Sequence, residues 1–124
     1  MESLSEQSFL ILAALADSPR HGYGLVTEVA AMSEDRVRLR ASTLYAALDR
    51  LAARGLVEPE RDEVENGRLR RYYRLTDDGA AVLEHEAARL QGNADAARGR
   101  LARRARPAGP VLPGVVRRPA GGLA

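Results

Sequence analysis

The sequence predicts a mainly α-helical chain with a small antiparallel β wing and one long C-terminal helix. Three observations carry this. Apolar residues recur at helical spacing at Leu44, Leu48 and Leu51, and again from Leu83 to Leu101. Asn66-Gly67, the strongest short-range hairpin signal, separates two strand-like runs. Hydrophobic residues make up 45% of the 124 residues but aromatics only 4%, so the core must come from Leu, Val and Ala, which pack helices closely.

Taken in order, Ser3 and Glu6 have the capping-box spacing and lead into "QSFLILAALA", apolar on every face from Phe9 to Ala16. A helix greasy all round must be covered all round, which predicts a second subunit over Phe9 and Leu12. Ser18-Pro19 ends it. Leu25, Val26, Val29 and Ala30 then share one face of a second helix, from about Gly22 to Met32, where Gly22 and Gly24 are expected to let another element approach closely. Asp35 to Arg40, "DRVRLR", alternates polar and apolar, which predicts a short half-buried strand with a row of arginines outward. A third helix follows from about Ser42 to Arg54, with Ala47 and Ala52 widening its leucine stripe and Gly55 as its C-cap.

"LVEP" begins a strand with Leu56 inward and Pro59 marking an edge, and "RLRRYYRLT" returns as its partner. Alternation there separates Tyr73 and Leu75, expected in the core, from Tyr72 and Arg74. Thr76 caps the last helix, whose first turn carries Asp77 and Asp78 at the positive end of the helix dipole. Leu83, Ala87, Leu90, Ala94, Ala97 and Leu101 step alternately by four and three, a coiled-coil seam. Roughly 25 helical residues extend about 38 Å, too long for a small domain to cover, so dimerisation is the expected use. The chain is thus expected to divide into a winged helix-turn-helix over residues 1–76, a dimerisation helix over 77–106 and a flexible Pro/Gly-rich tail over 107–124.

Composition removes several function classes. Cysteine is absent, which excludes disulfides, thiolate zinc sites and thiol nucleophiles. His21 has no second ligand at metal-ligand spacing, and Glu84, His85 and Glu86 point in different directions on a helix, which predicts a solvated face and no metal. No activated nucleophile, glycine-rich phosphate loop or pair of acids in a plausible cleft supports an enzyme, and no cofactor is expected. No apolar run reaches the roughly 18 residues of a membrane span, and the start "MESLSEQS" lacks a basic leader, so a cytoplasmic protein is expected. The formal net charge is only +2, but all 19 basic residues are arginine, the side chain that best matches phosphate and guanine edges.

The order helix, helix, strand, helix, hairpin, long helix is that of a winged helix-turn-helix, whose third helix enters the DNA major groove while the hairpin reaches a neighbouring groove or phosphate. Arg40, Ser42, Thr43 and Tyr45 then form the reading end of that helix, where free backbone N–H groups already favour an anion. Arg68, Arg70, Arg71 and Tyr72 are the candidate wing contacts, with Tyr72 divided between phosphate contact and packing. Asp62, Glu63 and Glu65 lower the wing's net field and leave open which arm faces DNA.

Three motifs in this order resemble the PadR family of bacterial transcriptional regulators, in particular its short subfamily with one long C-terminal helix: "LILAALADSPRHGYGL" from Leu10, "STLYAALDRLAARGLV" from Ser42 and "RRYYRLTDDG" from Arg70. The resemblance implies a homodimer on a roughly palindromic double-stranded operator, usually as a repressor, released by a small-molecule effector or other signal near the dimer interface. Phe9, Leu12, Leu83, Ala87, Leu90, Ala94 and Leu101 are the residues expected in that interface. Tyr45 matches the Tyr of the family's Leu-Tyr pair, and His21, Gly22 and Tyr23 match its His-Gly-Tyr. Ala46 stands where the family commonly has Pro, and the long helix carries no aromatic residue for stacking on an effector. The competing reading is a winged helix that docks a protein partner.

Overall fold

The computed structural model describes residues 3–105; the expected tail lies outside them. Among the described residues, four helices and three strands follow one another as α1 (Glu6–Ala14), β1 (Arg20–His21), α2 (Gly22–Met32), α3 (Ala41–Ala53), β2 (Val57–Glu65), β3 (Arg68–Leu75) and α4 (Asp77–Ala105). The chain falls into two units, one running to Ala87 and one from Ala88.

The first unit is built on the leucine stripes. Ile11 and Leu12 of α1, Leu25 and Val29 of α2, Leu44, Leu48 and Leu51 of α3 and Val57 of β2 meet in one core, with Tyr73, Leu75 and Leu83 packed against it. Removing one of these leucines down to Ala costs about 2–5 kcal/mol. Tyr73 and Leu75 face this core as the alternation of β3 predicts. Leu12 corrects an expectation: it is wholly buried within its own chain and offers no surface to a second subunit, because α1 is covered on that side by the rest of the core. Phe9 is half-buried.

The cap of α1 is also displaced. Ser5, in extended conformation, accepts from the Ser8 N–H at 3.1 Å, so the Ser3 and Glu6 spacing does not mark the helix start. Glu6 instead ion-pairs with Arg36, which holds its carboxyl below the usual range through that hydrogen bond.

A second correction concerns Asp35 to Arg40, which is not a strand. Glu34 and Asp35 adopt left-handed conformations, φ 54° and 65°, and the Asp35 N–H returns to the Ala30 carbonyl at 2.7 Å. The chain therefore leaves α2 through a tight turn and runs to α3 without a ladder partner. Val37 and Leu39 are nevertheless buried and Arg36, Arg38 and Arg40 exposed, so the alternation reports one-sided burial of an extended segment. The third strand is Arg20–His21, which pairs antiparallel with Tyr73 and Tyr72 and gives the order β1-β3-β2.

Gly55 terminates α3 in a Schellman motif. Its φ is 74°, its N–H donates to the Ala52 carbonyl at 2.9 Å, and the Leu56 N–H donates to the Leu51 carbonyl at 3.0 Å. Leu51 and Leu56 are both buried, the hydrophobic contact that accompanies this cap; Ala52 is exposed and does not widen the core stripe as expected. Asn66 and Gly67, at φ 51° and 77°, form the predicted hairpin turn between β2 and β3, and a register irregularity sits between Pro59 and Arg61 on the edge strand. The α4 start is locked onto the first unit. Thr76 Oγ1 accepts from the Gly79 N–H at 2.9 Å and donates to the Gly55 carbonyl at 2.6 Å. A Cβ on Gly79 would lie 2.1 Å from the Leu56 carbonyl oxygen, so only glycine fits.

Glu84 and His85 are exposed on α4 but Glu86 is buried, which corrects the expectation of a wholly solvated Glu-His-Glu run. Within the second unit the α4 stripe is uncovered: Leu90 and Leu101 are exposed, as is Ala94, and a Cβ on Gly92 or Gly99 would meet open space. None of the described helices is long and apolar enough to cross a membrane.

Candidate nucleic-acid interface

The first turn of α3 is polar outward and apolar inward. Ser42 and Tyr45 are exposed and Thr43 is half-buried, while Leu44, Ala47 and Leu48 anchor the opposite face. Arg40 occupies the N-cap position but makes no side-chain cap hydrogen bond. The leading backbone N–H groups of α3 therefore lack the usual side-chain acceptor, and with the helix dipole they favour an anion.

Tyr45 lies across the start of α2. A Cβ on Gly22 would stand 2.3 Å from its Oη and 2.9 Å from its Cζ, so the ring occupies the space a side chain there would take. The close approach expected at Gly22 is thus made by Tyr45 of α3 itself. Opposite Tyr45 runs β3. His21, Gly22, Tyr45 and residues 68–71 of β3 line one cavity of about 220 Å³ that the starts of α2 and α3 share with the wing.

The charge pattern of the wing decides which of its arms is free. Every carboxylate on β2 is engaged by a neighbour. Asp62 accepts from Arg71 Nε at 3.2 Å, Glu60 and Glu63 both pair with Arg61, Glu58 pairs with Arg74, and Glu65 accepts from the Tyr72 hydroxyl at 2.7 Å. The Asp62 hydrogen bond raises the Arg71 pKa above its ordinary value, so this arginine stays charged and is held by the opposite arm. Among the described residues, Arg68 and Arg70 have no carboxylate within ion-pair distance. Arg70 Nε is buried without a hydrogen-bond partner, and its guanidinium lies 5.8 Å from the Tyr23 ring. The acidic arm is consumed inside the wing, and both unpaired arginines line the cavity beside Tyr45, next to the paired Arg71.

Of the residues the sequence nominates, Tyr45, Arg68, Arg70 and Arg71 come together here, with Arg40, Ser42 and Thr43 along the adjoining turn of α3. Tyr72 does not join them. Its hydroxyl donates to Glu65, which raises its pKa and keeps it a donor, and its ring lies under the Arg61 guanidinium at 4.1 Å. His21, Gly22 and Tyr23 border this ground although sequence reasoning gives them no contact role; the "HGY" run is the signal that points to them.

These elements define a winged helix-turn-helix with a basic, polar face at the N-terminus of its third helix. The chain matches the model of the transcriptional regulator PadR-like family over residues 11–85. It belongs to that family of transcriptional regulators. It is 40% identical over 81 residues to the transcriptional regulator Rv3488 of Mycobacterium tuberculosis, covering 65% of this chain and 72% of that protein. It is also 42% identical over 91 residues to a 37.1 kDa protein in transposon TN4556 of Streptomyces fradiae; the match takes in 71% of this chain but only 25% of that longer protein. Among solved structures, Bacillus subtilis PadR in complex with operator DNA superposes with a TM-score of 0.57 at 18% identity, covering 90% of this chain and 53% of that one, a likeness of fold.

Proposed function

We propose that this protein is a homodimeric regulator that binds a palindromic double-stranded DNA operator through α3 and the wing, and represses transcription until an effector releases it. The observation that carries DNA binding is the pairing of an uncapped α3 N-terminus with two unpaired wing arginines, Arg68 and Arg70, around the Tyr45 cavity. That surface offers hydrogen-bond donors and positive charge where a phosphate backbone and base edges would lie. The fold likeness to a PadR protein in complex with operator DNA supports the same reading.

Dimerisation is supported by the uncovered stripe of α4, where Leu90 is 41% and Leu101 60% exposed. Two copies joined there would present two α3 helices to successive major grooves about 34 Å apart, which is why a palindrome is the expected site. Leu83 packs on the core of the first unit and would stiffen the root of such an interface, while Ala87 and Ala94 permit close approach. Repression, effector release and a cytoplasmic location follow from the family's habit and rest on it.

The test is a fluorescence-anisotropy titration of the full chain against the duplex upstream of its own gene, with random duplex as competitor, at several salt concentrations. The expected result is competitor-resistant binding whose affinity falls with salt at a log-log slope of about −0.9 per phosphate neutralised. Binding that is weak and insensitive to salt would refute the reading and favour a protein-docking winged helix. Sedimentation at micromolar concentration tests the dimer, and a monomer there would refute it.

A further inference from the structure

The wing projects beyond its support. β1 is two residues long and pairs with β3 only at Tyr72 and Tyr73, so the outer part of the hairpin, from Arg61 to Arg71, has no strand partner outside itself. A two-stranded hairpin by itself is marginally stable in water. Something other than the ladder must hold Arg68 and Arg70 at a fixed place relative to α3.

His21 sits where these pieces meet, and it touches both of them. Nδ1 accepts from the Gly24 N–H at 3.2 Å and caps α2. Nδ1 must then be unprotonated, which puts the proton of the neutral ring on Nε2. Nε2 faces Glu65 Oε1 at 3.9 Å, close but beyond direct hydrogen-bond reach, and Glu65 is the last residue of β2 before the wing turn. The other oxygen, Oε2, accepts from the Tyr72 hydroxyl at 2.7 Å. Tyr72 meets the His21 ring edge-on at 5.1 Å, and Tyr23 lies nearly parallel to that ring at 6.5 Å with the Arg70 guanidinium above it. The His21 side chain is 17% exposed, so these contacts act in a partly desolvated setting.

From this arrangement we infer that His21 is a positioning residue: its edge-on contact with Tyr72, whose hydroxyl in turn holds Glu65, clamps the far end of the wing to the first turn of α2 and so sets where Arg68 and Arg70 stand relative to Tyr45. The consequence for DNA rests on the reading proposed above; the clamp itself does not. One ring serves as helix cap and wing anchor at once, so the angle between wing and helix-turn-helix is fixed by side chains and not by the sheet alone.

Two variants separate these tasks. His21→Asn retains a good N-cap acceptor but removes the ring that packs edge-on against Tyr72. Tyr72→Phe removes only the hydroxyl that holds Glu65 and leaves the ring packing intact. Amide hydrogen exchange on the full chain is expected to speed up about tenfold or more at the outer part of β2 and β3 in both variants, with α2 and α3 unchanged. Unchanged wing exchange in both would overturn the clamp whatever the protein binds. In anisotropy titrations against a random-sequence duplex at low salt, Arg70→Ala is expected to weaken the wild type about tenfold but the His21→Asn protein less than about threefold, because the wing is already misplaced. The same loss from Arg70→Ala in both backgrounds would overturn the positioning role. A wild type that does not bind duplex at all would refute the DNA reading instead, and the exchange result would still decide the clamp.

Discussion

Gly22→Ala tests the close approach between the start of α2 and Tyr45 of α3. The new methyl would stand 2.3 Å from Tyr45 Oη, about 1 Å inside ordinary contact, so the ring must move by roughly that much. Overpacking of this kind costs about 1–3 kcal/mol, and the low end applies because Tyr45 is 46% exposed and can swing outward. Ala is favoured over Gly in a helix interior by up to about 1 kcal/mol, and at the first position of α2 a smaller gain offsets part of that cost. Net stability should therefore change by less than about 1 kcal/mol, a Tm shift within about 5 °C. Duplex affinity should nonetheless fall about tenfold, or about 1.4 kcal/mol, since Tyr45 leaves its place beside the wing arginines. The assay is a double-mutant cycle by anisotropy with Gly22→Ala, Tyr45→Ala and the pair. If the ring is what Gly22 positions, the double variant binds like Tyr45→Ala alone. Losses that simply add, or a Gly22→Ala protein that binds normally, would refute the reasoning.

Gly79→Ala should be far more damaging, because its Cβ would stand 2.1 Å from a backbone oxygen that cannot swing away; a loss of more than about 3 kcal/mol is expected by chemical denaturation. Arg70→Ala should weaken binding to specific and random duplex alike and lower the salt slope by about one, whereas Tyr45→Ala should chiefly erode discrimination between them. Leu101→Asp should shift the sedimentation profile toward monomer without lowering the helical content of the first unit, since Leu101 is 60% exposed. The Glu6 carboxyl has its folded-state pKa depressed by Arg36, so its contribution is present above the ordinary value of 4.5 and lost as pH falls through the lower folded value. Arg36→Ala should remove that part of the acid-side decline in stability, measured by denaturation between about pH 5 and 3.

The elements were legible in the chain because their causes are local. The leucine spacing of α3, the Gly55 cap, the Asn66-Gly67 turn and the Thr76 cap each depend on a few neighbouring residues whose backbone preferences leave little choice. The polar first turn of α3 could be picked out for the same reason. What failed was long-range. "DRVRLR" alternates like a strand, but a strand also needs a ladder partner, and the free edge of β3 is taken by Arg20–His21, two residues with no strand pattern of their own. Leu12 reads as surplus grease on an all-apolar helix, yet the packed core consumes it completely.

The charge of the wing shows the same division most clearly. By itself the sequence determines that acids on one arm will oppose arginines on the other, because the turn sets the register. Only the tertiary structure decides which arginines remain unpaired. Side chains are long enough to choose among several neighbours, and the choice falls to whatever the fold brings near. Arg61 takes Glu60 and Glu63, while Glu65 is drawn toward His21 and Tyr72, leaving Arg68 and Arg70 facing Tyr45.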